Sequence, residues 1–122
     1  MRVDEISLTL PADSAFRRVA HLVLGGLAVR LDLTYEKLED IGLALDALLQ
    51  RSASEGEVTV RVRIEGDELR TVVGPFAADV LRELNEEAGE ALGLRRILDA
   101  VCDRVSVEDR HVELTKRIDG KR

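Results

Sequence analysis

The 122-residue sequence predicts an α/β protein, a two-layer sandwich in which helices cover one face of a mixed, mostly antiparallel sheet. Three observations carry that prediction. Residues Glu57 to Glu65 alternate apolar and polar without a break, as a strand with one buried face does. Two long segments, one reaching about Leu31 and one starting after Thr34, instead repeat apolar residues at helical spacing. The elements then follow in the order strand, two helices, two strands, two helices, two strands, and each later strand has one apolar and one polar face.

Val3 to Leu10 reads as the first strand, with Ile6, Leu8 and Leu10 on one face and Pro11 at its end. Asp13 or Ser14 caps a helix that runs to about Leu31. Phe16, Val19, Val23, Leu27 and Leu31 form its core stripe, and Arg18, Leu22, Gly26 and Val29 form a second stripe beside it. The pair Gly25-Gly26 costs roughly 1 kcal/mol per glycine relative to alanine. Tight packing within the chain, or close approach of another backbone, would offset that cost.

Thr34 caps the second helix, whose buried face is Leu38, Ile41, Leu45, Leu48 and Leu49. Lys37 at the third helical position rules out a reciprocal capping box. Ser52 to Gly56 closes the helix. In the next strand Val58, Val60, Val62 and Ile64 point one way; Thr59, Arg61, Arg63 and Glu65 point the other. Gly66-Asp67 is a two-residue turn, Asp67 to Val73 is the hairpin partner, and Gly74-Pro75 ends it. Phe76 to Glu87 reads as a polar helix with Val80, Leu81 and Leu84 inward. A break at residues 88–90 precedes a helix from Gly93 to Asp103, with Leu94, Ile97, Leu98 and Val101 inward. Val105 to Val107 and Val112 to Ile118 close the sheet around an Asp109-Arg110 turn.

The length fits one domain over residues 1–122. The chain is 45% hydrophobic and 34% charged, as a soluble globule is, and its 2% of aromatics leaves the core to aliphatic side chains. A net charge of −6 argues against non-specific binding to nucleic acid. Arg61, Arg63, Arg70 and Arg117 fall on the wet sheet face among Glu65, Glu113 and Thr115, which reads as a cross-paired surface rather than a nucleic-acid stripe. Cys102 alone excludes an internal disulfide and a multi-cysteine zinc site, and it reads as a small core or boundary residue. His21 and His111 leave little for a metal cluster. No apolar run approaches the roughly 18 residues of a membrane span, and the first residues have no signal-peptide pattern. A reduced, cytoplasmic protein without a membrane or a direct nucleic-acid partner is therefore expected.

Several short runs carry a more specific resemblance. They are Phe16-Arg17-Arg18-Val19, Leu43-Ala44-Leu45-Asp46, Gly93-Leu94-Arg95-Arg96-Ile97-Leu98, Val105-Ser106-Val107 and Val112-Glu113-Leu114-Thr115-Lys116. In this order, on this layout, the sequence resembles the anti-sigma factor serine kinases, small bacterial members of the histidine-kinase-like (GHKL) ATPase fold. The resemblance covers almost the whole chain. It implies the GHKL type of α/β sandwich and a role in transcription regulation and stress response.

The nucleotide motifs of that family depart here. Its second helix carries Glu-x-x-x-Asn, a glutamate acting on the attacking hydroxyl and an asparagine holding Mg²⁺. A register anchored on Leu43 to Asp46 puts Ala47 and Arg51 at those positions. Alanine moves no proton, and arginine has only donors. A register shifted by one residue gives Asp46 and Gln50 instead, at helical i,i+4 spacing; the unshifted one keeps the apolar residues toward the core. The family's Asp-x-Gly-x-Gly, whose aspartate meets the adenine amino group, is replaced by Thr71-Val72-Val73-Gly74-Pro75-Phe76. A charged hydrogen bond of that kind contributes roughly 1.5–3 kcal/mol. The phosphate-side Gly-x-Gly reads Ala91-Leu92-Gly93, and the segment from Phe76 to Glu90 is short and acidic for a nucleotide lid.

The resemblance implies two functions, which the sequence leaves open. The first is a regulatory protein that sequesters a sigma factor or an anti-anti-sigma protein, with nucleotide binding lost or weakened. Arg18, Leu22, Gly26 and Val29 would then form the partner face, in a homodimer. The second is an ATP-dependent serine/threonine kinase that phosphorylates an anti-anti-sigma protein, with Asp46 in the catalytic role. ATP or ADP with Mg²⁺ would then meet Gln50, Gly74, Gly93 and Thr115.

Overall fold

The computed structural model describes residues 5–11, 15, 17–31, 33–51, 56–85 and 93–117. The elements follow in the expected order: β1 (Glu5–Pro11), α1 (Arg17–Leu31), α2 (Tyr35–Leu49), β2 (Glu57–Glu65), β3 (Glu68–Gly74), α3 (Ala78–Asn85), α4 (Leu94–Val101), β4 (Arg104–Glu108) and β5 (His111–Arg117). Val3, Phe16, Ile118 and the break at residues 88–90 lie outside the described residues. The five strands are ordered β1-β2-β3-β5-β4.

Every pairing is antiparallel, in the sheet that was expected to be mostly so. The connections explain this. Two helices of 15 residues each, α1 and α2, return the chain to the end of the sheet it left, so β2 runs back along β1. Together α3 and α4 make a single crossing, so β4 points the same way as β3, but β5 is inserted between them and pairs with both.

The strand alternation sorts side chains as the sequence requires. Ile6, Leu8, Val60, Val62, Leu69, Val73, Val112 and Leu114 share the face that the helices cover. Leu45 and Leu48 of α2, Leu84 of α3 and Leu94 and Leu98 of α4 are almost wholly buried against it. Each contributes about 1.5–3 kcal/mol relative to an exposed position. Along α1 the buried line is Ala20 and Leu24, with Val19 and Val23 half-buried beside it. The core edge of this helix is thus one residue along from the stripe drawn through Val19 and Val23.

The opposite sheet face is cross-paired. Arg70 reaches Glu65 and Glu68 at 3.2 Å and Glu113 at 3.5 Å, Arg61 reaches Glu5 at 3.5 Å, and Arg104 reaches Glu68 at 3.4 Å. These partly exposed pairs contribute little each, about 0–1 kcal/mol. Thr115 differs from expectation. It lies on this face between its cross-strand partners Arg70 and Arg104, yet is only 4% exposed. Long arginine stems on both sides shield a short side chain.

Lys116 is the charged residue of β5 on the helix side. Its ammonium donates to Asp40 Oδ2 of α2 at 2.9 Å and to the Val101 carbonyl of α4 at 2.8 Å. One side chain thereby ties the sheet to two helices.

Candidate functional site

The second helix organises the candidate site. Thr34 caps it, its side chain accepting from the Lys37 amide at 3.2 Å. Capping fixes the rotation of the helix, and the buried Ile41, Ala44, Leu45 and Leu48 set which side faces the sheet. Two further directions remain. One carries Ala47 and Arg51 toward α3; the other carries Gly42 and Asp46 toward α1.

On the α3 side, Arg51 Nη2 donates to Glu83 Oε2 at 3.4 Å and its Nη1 to the Ala47 carbonyl at 3.4 Å. Ala47 is 6% exposed. These are the positions at which the resemblance expects a carboxylate and a metal-binding amide. A buried methyl group and a donor-only guanidinium do not fit a magnesium nucleotide. Among the described residues no group of three or more metal-ligating side chains converges.

Gly74, expected to meet a nucleotide, is buried against the β4–β5 turn. A Cβ there would stand 2.7 Å from His111 Cδ2 and 3.0 Å from the Arg110 carbonyl oxygen. The close approach that requires glycine is therefore internal. The same turn holds the next residues: the Phe76 amide donates to the Arg110 carbonyl at 2.9 Å, and Arg110 Nε donates to the Phe76 carbonyl at 3.1 Å. Phe76 itself is 2% exposed. Asp109 and Arg110 both have positive φ, 57° and 69°, as a two-residue hairpin turn demands.

Gly93 is the N-cap of α4 in extended conformation, with no side-chain hydrogen bond. Gly89, Ala91 and Leu92 lie outside the described residues. Thr115 is on the sheet face away from the helices, so it is not brought together with Ala47, Arg51 or Gly93.

On the α1 side, Gln50 Nε2 donates to Asp46 Oδ2 at 2.9 Å, and His21 Nε2 lies 3.7 Å from Asp46 Oδ1. Asp46 and Gln50 thus form their own pair, and Asp46 stands beside His21 of α1. A groove of about 630 Å³ opens here between α1 and α2. His21, Leu24 and Gly25 of α1 face Leu38, Gly42 and Asp46 of α2 across it. The sequence carried a signal for it: a polar residue and a glycine four apart occur in each helix, His21 with Gly25 and Gly42 with Asp46.

The second stripe of α1 is exposed. Leu22 is 69% and Val29 83% exposed, and Arg18 and Gly26 are exposed with them. A Cβ added at Gly25 or Gly26 would find no atom within 4 Å. Packing among the described residues therefore does not account for this glycine pair.

No protein-family model matches the chain. The serine-protein kinase RsbW of Bacillus velezensis is 26% identical over 146 aligned positions, covering 98% of this chain and 89% of that protein. Over nearly its whole length the chain is similar to RsbW. The RsbW of Bacillus subtilis gives 26% identity over 145 positions with the same shares. The RsbW of Listeria innocua is 32% identical over 77 residues, which is 57% of this chain and 49% of that protein. An alignment of 146 positions against 122 residues means that the Bacillus velezensis RsbW has residues this chain lacks. The sheet and helices described above form a GHKL-like α/β sandwich, in agreement with the relationship to RsbW.

Proposed function

We propose that this chain is a regulatory protein of the anti-sigma type, which acts by binding a sigma factor or an anti-anti-sigma protein and in which nucleotide binding is lost or weakened. The exposed stripe of α1 carries the reading. Two large aliphatic side chains, Leu22 and Val29, stand in water beside Arg18 and the unpacked Gly26. Apolar surface with an arginine at its edge is the composition of an interface. The pairing of Arg51 with Glu83 supports weakened nucleotide binding, because it joins α2 to α3 where the resemblance expects a metal ligand. The same stripe would serve a homodimer.

The test is binding of the purified chain to a sigma factor and to an anti-anti-sigma protein from the same genome, by calorimetry, with light scattering for the oligomeric state. Arg18→Glu and Leu22→Ser should each weaken complex formation at least tenfold without lowering the melting temperature. Unchanged binding by both variants, from a monomeric protein, would remove α1 from the interface.

A second reading is favoured by the name of the relatives: an ATP-dependent serine kinase acting on an anti-anti-sigma protein. Asp46 is the candidate base, with Gln50 beside it at 2.9 Å. Transfer of labelled phosphate from ATP to the anti-anti-sigma protein, abolished by Asp46→Ala, would establish this reading in place of the first.

A further inference from the structure

We propose that the groove between α1 and α2 is a receptor for a partner segment that presents aliphatic side chains next to a lysine or arginine. This rests on the binding role assigned to α1 and extends it to a second, chemically different surface.

The floor is apolar: Leu24 is buried, and Leu43 at the edge is 53% exposed. The α1 wall lacks a side chain at Gly25, where an added Cβ would meet no atom within 4 Å, while on the α2 wall the His21 ring lies 3.6 Å from where a Cβ of Gly42 would stand. The volume of about 630 Å³ admits one or two large side chains.

The charge is one-sided. Glu39, Asp40 and Asp46 line the groove, and among the described residues no lysine or arginine does. Asp40 is balanced from the sheet by Lys116 at 2.9 Å. Glu39 and Asp46 remain at the rim, the latter 37% exposed beside His21. A cation placed at this rim meets carboxylate along the α2 side, whereas an anion would be repelled. The groove also adjoins the exposed α1 stripe, since His21 and Gly25 directly precede Leu22 and Gly26 in the helix. A partner lying along that stripe can insert a side chain between the helices.

The probe is a short fluorescein-labelled peptide alternating leucine and arginine, followed by anisotropy. Two controls replace its arginines by glutamate or its leucines by serine. Wild-type protein should bind the parent peptide at least tenfold more tightly than either control. Glu39→Gln combined with Asp46→Asn should weaken it about tenfold. Gly25→Leu should do the same by filling the groove; a Cβ there meets no atom within 4 Å, and an unchanged melting temperature of the variant checks that the fold is kept. The peptide readout needs no sigma factor or anti-anti-sigma protein, so peptide binding without capture of either protein separates failure of the proposed function from failure of this proposal. Equal binding of the glutamate peptide, or full binding by Gly25→Leu, would overturn the proposal. A shift of Gly25→Leu from dimer to monomer in light scattering would overturn it too, by assigning the groove to a second copy of the chain.

Discussion

Two glycines that look alike in the sequence have opposite surroundings. At Gly74 an added Cβ meets the His111 ring at 2.7 Å and the Arg110 carbonyl at 3.0 Å, and that ring is held by a 2.8 Å contact of Nδ1 with the Asp109 carbonyl. Gly74→Ala should therefore destabilise by about 1–3 kcal/mol. At Gly25 the same methyl group enters open space in a helix, and Gly25→Ala should stabilise by about 1 kcal/mol. Thermal unfolding of the two variants should move in opposite directions, by roughly 4 °C per kcal/mol for a domain near this size. A second residue-scale expectation concerns Cys102. Burial pushes its thiol from 9.0 up to about 11, with Lys116 opposing the shift. The folded form therefore holds its proton more tightly than the unfolded chain. The associated stability is complete below pH 9 and is lost as pH rises toward 11. Alkylation by iodoacetamide at pH 8 should be slow in the native protein and fast in urea; equal rates would place the thiol in water. Neither surrounding was legible beforehand. The spacing of Gly74 marked the end of a strand, but the ring against it arrives from the β4–β5 turn, and only the fold brings the two together.

At the scale of elements the sequence was far more informative. Strict alternation over Glu57 to Glu65 placed β2 and its inner face, and Thr34 with its helical apolar spacing placed α2, because each signal is local and uninterrupted. What local pattern could not supply was rotation and partner. Among the described residues of α1, Ala20 and Leu24 are the most buried and Val19 and Val23 flank them half-buried, since a helix apolar over a wide arc is oriented by its neighbours. Lys116 was read as part of a closing strand, whereas it joins α2 and α4 to the sheet through Asp40 and the Val101 carbonyl. Lys116→Ala should cost about 1.5–3 kcal/mol, toward the lower end because water still reaches Asp40. Lys116→Met, which keeps the stem, should recover part of that loss. Urea midpoints of the three proteins check this, and equal midpoints would show that the bridge does not stabilise the fold.

At the scale of the whole molecule, two surfaces of α2 compete as functional centres. The α3 side holds the positions where RsbW-type chemistry was expected, but it offers Ala47 and an Arg51–Glu83 pair. The α1 side holds Asp46, His21 and an open groove, beside an apolar helix stripe left in water. The sequence pointed to the first disagreement through its missing carboxylate and amide. For the groove it offered only the spacing of His21 with Gly25 and of Gly42 with Asp46, which does not say that the two helices face each other. The proposed protein-binding role rests on this second surface, where the exposed chemistry sits on α1.

The most direct test is thermal unfolding with and without millimolar ATP or ADP and Mg²⁺. A native-state ligand at a hundredfold excess over its Kd adds about 2.7 kcal/mol, a shift of several degrees. The account predicts no magnesium-dependent shift with either nucleotide. A clear shift that disappears with EDTA would contradict it and return Asp46 and Gln50 to the nucleotide site.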